Sequence, residues 1–97
     1  MNVGVCRIEL HLPDAQSLKD KRRIVKSLIS RLQSEFHISV AEIENQELWQ
    51  ITTLGIACVS NHSSHANEIL SNAVQFIIQN NPHLQMIDYE TEIIPVL

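Results

Sequence analysis

The sequence predicts one α+β domain, a four-stranded antiparallel sheet with two helices packed on one face. Three observations lead there. Segments with the two-residue period of a strand alternate with segments of helical period in the order strand, helix, strand, strand, helix, strand. The connections between them are short. The third strand is apolar on both faces, as a strand in the middle of a sheet must be.

Val3 to Leu12 alternates as a strand, with Cys6, Ile8, Leu10 and Leu12 on one face and Val3, Val5, Arg7, Glu9 and His11 on the other. The first set is apolar and faces a core. The second mixes apolar and charged residues, which suits an open sheet face. Pro13 cannot donate to a ladder and ends the strand.

Ser17 caps the first helix in a capping box, its hydroxyl accepting from the Asp20 N–H while the Asp20 carboxylate reaches back to Ser17. Leu18, Val25, Leu28, Ile29 and Leu32 form the apolar stripe of this helix. Lys19, Arg22, Arg23 and Lys26 form a second, cationic stripe, flanked by Lys21 and Arg31. Cations in the first two turns oppose the positive end of the helix dipole, at roughly 0.3–1 kcal/mol each when exposed. Helix stability alone would put acids there, so the stripe points to a partner; its structural alternative is a solvated face filled by good helix formers.

Phe36 to Glu44 reads as the second strand and Leu48 to Val59 as the third, joined by the polar break Asn45–Glu47 into a hairpin. Leu54, Ile56 and Cys58 lie on one face of the third strand, and Trp49, Ile51, Ala57 and Val59 on the other. Either side suits the helices. Ser60–Ser64 is a turn with several candidate caps. Ala66, Ile69, Leu70, Ala73, Val74 and Ile77 give the second helix, running to about Gln79 before Asn80-Asn81-Pro82 stops it. Gln85 to Ile94 is the last strand, with Asp88, Glu90 and Glu92 projecting from a single side.

This βαββαβ order is the split βαβ plan, a ferredoxin-like fold with the first and third strands central. Residues 1–97 make one domain, large enough to bury a core without metals or disulfides. The composition, 44% hydrophobic and 19% charged, is that of an ordinary globular protein. The N-terminus has no secretory pattern, since Arg7 and Glu9 interrupt it, and no window approaches a membrane span, so a cytoplasmic location is expected. Cys6 and Cys58 read as buried free thiols.

The net charge of −4 conceals a division along the chain. Residues 1–31 hold all seven Lys and Arg and carry a net +4, whereas residues 32–97 carry eight acids and no Lys or Arg. One helix is cationic and the remainder anionic.

The run LPDAQSLKDKRRIVKSLISRLQSEFHISVAEI (Leu12 to Ile43), followed by WQITTLGIACVS (Trp49 to Ser60), resembles the YlxP-like family, domain of unknown function 503, of small bacterial proteins. The LP-turn-SLKxKR order is not produced by helix patterning alone. The resemblance implies a ferredoxin-like fold and a bacterial cytoplasmic protein whose family genes often lie close to those for translation-initiation and ribosome-maturation factors. It implies no established activity. Ile51-Thr52-Thr53 departs from relatives that carry a basic residue just after the Trp-Gln pair, so a positive sheet face is not expected.

Two binding readings follow. In the first, Lys19, Lys21, Arg22, Arg23 and Lys26 contact RNA phosphate on a ribosomal particle, or dock on a ribosome-associated protein. The only aromatics are Phe36, Trp49, Phe76 and Tyr89, so no base-stacking platform like that of an RRM is expected. In the second, the open sheet face with Val3, Val5, Trp49 and Ile51 is a homodimer or protein-docking surface. An enzyme is not expected, nor a cofactor or metal. Only Gly4 and Gly55 are present, so a Gly-rich phosphate loop is excluded. His62 and His65, with Glu68 a turn on, read as helix-start residues rather than metal ligands, and His11 as a surface strand residue rather than an acid or base.

Overall fold

A computed structural model describes residues 1–97. The elements are β1 (Asn2–His11), α1 (Leu18–Glu35), β2 (Ser39–Glu44), β3 (Ile51–Ser60), α2 (Ser63–Asn80) and β4 (Gln85–Pro95). The sheet runs β2-β3-β1-β4, all neighbours antiparallel. β1 and β3 are central, as the two-faced pattern of β3 requires.

The core lies between the helices and one sheet face. Cys6, Ile8 and Leu10 from β1 and Leu54, Ile56 and Cys58 from β3 meet Val25, Leu28 and Leu32 of α1 and Ala66, Leu70, Ala73, Val74 and Ile77 of α2. The Leu54 side of β3 is therefore the side that meets the helices. Gly4 makes close packing possible at the end of β1, because a Cβ there would lie 3.0 Å from both Cys58 Sγ and Leu70 Cδ1. Burial pushes the Cys6 and Cys58 thiols up in pKa, only partly offset by hydrogen bonds to the Thr91 side chain and the Gly4 backbone respectively. Both cysteines are free.

The element boundaries depart from expectation where a backbone N–H bonds to a helix or turn carbonyl instead of joining a strand ladder. β2 starts at Ser39 rather than Phe36, because the Phe36 N–H still donates to Leu32 O of α1 and its ring packs edge-on against Phe76 at 5.6 Å. β3 starts at Ile51 rather than Leu48. The Leu48 N–H closes a turn on Asn45 O, and the Gln50 side chain donates to Pro13 O and Ala15 O. The cap of α1 also differs in one bond. Ser17 Oγ accepts from the Asp20 N–H at 3.0 Å as expected, but the Asp20 carboxylate accepts from the Gln16 N–H, not from Ser17.

The other sheet face is uncovered. Register places Val3, Val5, Arg7 and Glu9 of β1 opposite Ile94, Glu92, Glu90 and Asp88 of β4. The three carboxylates of β4 thus project away from the helices. No helix is long and apolar enough to cross a membrane.

Candidate nucleic-acid interface on the first helix

The residues of α1 sort by helical angle. Val25, Leu28 and Leu32 turn into the core, with Ile24 and Ile29 packed against it and Leu18 half-buried at the helix start, and Lys19, Arg22, Arg23 and Lys26 turn toward solvent, where all four are exposed.

Lys21 does not belong to this ridge. It is fully buried, its Nζ 2.7 Å from Glu42 Oε2, and it donates to Asn45 O at 2.7 Å and Gln46 O at 3.2 Å. The expectation that Lys21 contacts phosphate is therefore corrected: all three ammonium donors are used inside the molecule. The Glu42 carboxylate is held in turn by the Thr52 hydroxyl at 2.6 Å. Asn45, in the left-handed region at φ 64°, donates from Nδ2 to Thr53 Oγ1. Lys21 thus fastens the β2–β3 turn to the start of α1. A signal for this was present in the sequence. Leu18 and Val25 are seven residues apart, and Lys21 fills the missing position of a 3-4 repeat.

The remaining cations divide cleanly. Arg7 Nη2 lies 3.0 Å from Glu44 Oε2 across the open sheet face. That hydrogen bond, followed by the Glu44 charge, holds the Arg7 guanidinium above its usual pKa, with weaker help from Glu9 and Glu90. Arg31 donates to Asn81 Oδ1 at 2.7 Å. Arg23 touches Asp20 at 3.5 Å, an exposed i,i+3 contact of little strength. Lys19, Arg22 and Lys26 have no carboxylate within 4.0 Å. These three, with Arg23 beside them, make a continuous wet ridge.

The histidines are placed differently. His62 is the N-cap residue of α2 and contributes no side-chain cap bond. His65 Nδ1 lies 3.1 Å from Ser60 Oγ, and His11 Nδ1 lies 3.0 Å from Gln85 Oε1 on the open sheet face. Trp49 precedes β3 and is exposed, outside the strand that was expected to carry it.

Residues 3–91 match the family model described as "Protein of unknown function (DUF503)". The chain belongs to this family. It is 37% identical over 75 residues to "Uncharacterized protein YlxP" of Bacillus subtilis (strain 168), covering 77% of this chain and 82% of that one. Among solved structures it is similar to the de novo designed protein Foldit4, with TM-score 0.53 and 11% identity over the whole of both chains. It is also similar to the solution structure of LFR1 1, a de novo designed protein with ferredoxin fold, with TM-score 0.54 and 12% identity over 97% of this chain and 84% of that one. At these identities the two designs support the fold, and the fold carries no function with it.

Proposed function

We propose that this DUF503 protein is a non-enzymatic binding protein that attaches to RNA phosphate in the cytoplasm, on or near the ribosome, through Lys19, Arg22, Arg23 and Lys26. One observation carries the reading. Of the seven Lys and Arg side chains, Arg7, Lys21, Arg23 and Arg31 have internal polar partners, and the three without one, Lys19, Arg22 and Lys26, share one helix face.

The sheet side reinforces this polarity. Glu9, Asp88, Glu90 and Glu92 share the open face, so a polyanion is repelled there and drawn to α1. Contacts of this kind fix position on a phosphate backbone and carry no sequence preference of their own. The ribosomal setting rests on the family's gene neighbourhood alone.

Filter binding of the parent and the Arg22→Glu/Arg23→Glu variant to ribosomal RNA at low salt tests the proposal. The parent is retained and the variant is not. Equal retention removes the reading.

A second reading, self-association through the open sheet face, is favoured by Val59 at 64% and Ile94 at 36% exposure beside Val3 and Val5. The neighbouring carboxylates oppose it, because two copies stacked face to face would bring like charges together. A concentration-independent monomer mass in sedimentation removes this second reading and leaves the first untouched.

A further inference from the structure

Away from the cationic ridge, a cavity of about 350 Å³ opens between α1, the end of β1 and the turn joining α2 to β4. Its walls are mainly apolar, with Leu12, Ile24, Pro82 and Leu84 among the lining residues. The volume lies at the small end of the range for ligand pockets, and an apolar wall with a few convergent polar groups is their common form.

Two opposite charges line this cavity. Arg31 comes from α1, and its Nη2 donates to Asn81 Oδ1 at 2.7 Å. Asn81 is itself buried and fixed, its Nδ2 donating to Ile77 O and its carbonyl accepting from the Leu84 N–H. The guanidinium is therefore oriented by a neutral amide and keeps its charge, with no carboxylate within 4.0 Å. Asp14 comes from the turn after β1, its Oδ2 3.6 Å from His83 Nδ1 in an exposed contact that a ligand can displace.

We propose that this cavity binds a small zwitterion, an α-amino acid with an apolar side chain. The ligand carboxylate pairs with the free edge of the Arg31 fork, its ammonium with Asp14, and its side chain covers Leu12, Ile24 and Leu84. A cavity lined by one cation, one anion and an apolar wall selects a molecule carrying all three complements. A simple anion leaves Asp14 unmatched, and a simple amine leaves Arg31 unmatched.

Proton–nitrogen NMR titration of the intact protein tests this with four probes: L-leucine, 4-methylpentanoate, L-leucinamide and L-alanine. L-Leucine gives saturable shifts confined to Leu12, Ile24, Asn80 and Leu84. The probes lacking the ammonium, the carboxylate or the large side chain each bind about tenfold or more weakly, the scale of one lost polar or apolar contact. Arg31→Gln, which keeps a donor for Asn81 but loses the charge, and Asp14→Asn weaken L-leucine binding to a similar degree while preserving the spectrum elsewhere. The comparison of probes on the parent protein stands even if a variant folds poorly. Absence of saturable shifts with L-leucine at millimolar concentration overturns the proposal. Equal binding of L-leucine and 4-methylpentanoate overturns it too, because Asp14 then contributes nothing.

Discussion

Lys21 Nζ lies 2.7 Å from Glu42 Oε2 with the lysine fully out of water, while Arg22, the next residue, points away from the core and has no carboxylate within reach. Two adjacent cations of one basic run thus have opposite work. One joins a helix to a hairpin, and the other stays hydrated and available.

Lys21→Met is expected to destabilise the fold by roughly 3–5 kcal/mol, because it leaves Glu42 and two carbonyls without their partner in a poorly solvated place. Arg7→Gln, at a pair of similar length but exposed on both sides, leaves the denaturant midpoint close to that of the parent, because water and salt screen the pair. Denaturant midpoints of the two variants measure the contrast. If Lys21→Met unfolds at the parent midpoint, the buried pair is not what fastens the β2–β3 turn.

Gly4→Ala tests the tight packing at the end of β1. The added methyl would meet Cys58 Sγ and Leu70 Cδ1 at 3.0 Å, so overpacking is expected to remove about 1–3 kcal/mol. Thermal unfolding reads this directly, and an unchanged midpoint would show that Leu70 moves aside freely.

The thiols give a pH dependence of definite sign. Burial raises the pKa of both Cys6 and Cys58, so the folded chain keeps protons that the unfolded chain releases above about pH 8.5. The unfolded state then binds fewer protons, and stability falls as pH rises through that value. Denaturant midpoints measured from neutral to alkaline pH should decline more steeply for the parent than for Cys6→Ala/Cys58→Ala. Parallel declines would show that the thiols are not the linked groups.

Ser17→Ala deletes the acceptor for the Asp20 N–H at the start of α1 and is expected to cost about 1 kcal/mol. Chemical denaturation of this variant checks it. A loss near zero would mean that the Asp20 contact to Gln16 alone holds the helix start.

The strand and helix order was legible because period-two and period-3.6 patterns hardly overlap in this chain, and β3 announced its central place by being apolar on both faces. Boundaries were less legible where an apolar residue closes a turn. Phe36 and Leu48 look like strand residues, yet Phe36 ends α1 and Leu48 completes the β2–β3 turn. The candidate site was readable as a stripe but not residue by residue. Lys21 has the spacing of the apolar set and the charge of the cationic one, and only Glu42, twenty-one positions away in sequence and on another element, decides which it joins. The cavity beside Arg31 had no local signature, since its charges come from α1 and from the turn after β1.

The salt dependence of RNA binding by the parent and by Arg22→Gln/Lys26→Gln is the most direct measurement of the central claim. Each phosphate contact on a single strand contributes about 0.7 to the slope of log K against log salt, so four ridge cations give a slope near −3 and the variant flattens it by about 1.4. Lys21→Met, if still folded, leaves the slope unchanged, because its ammonium is already satisfied indoors. A variant slope equal to that of the parent would contradict the assignment of the ridge to phosphate.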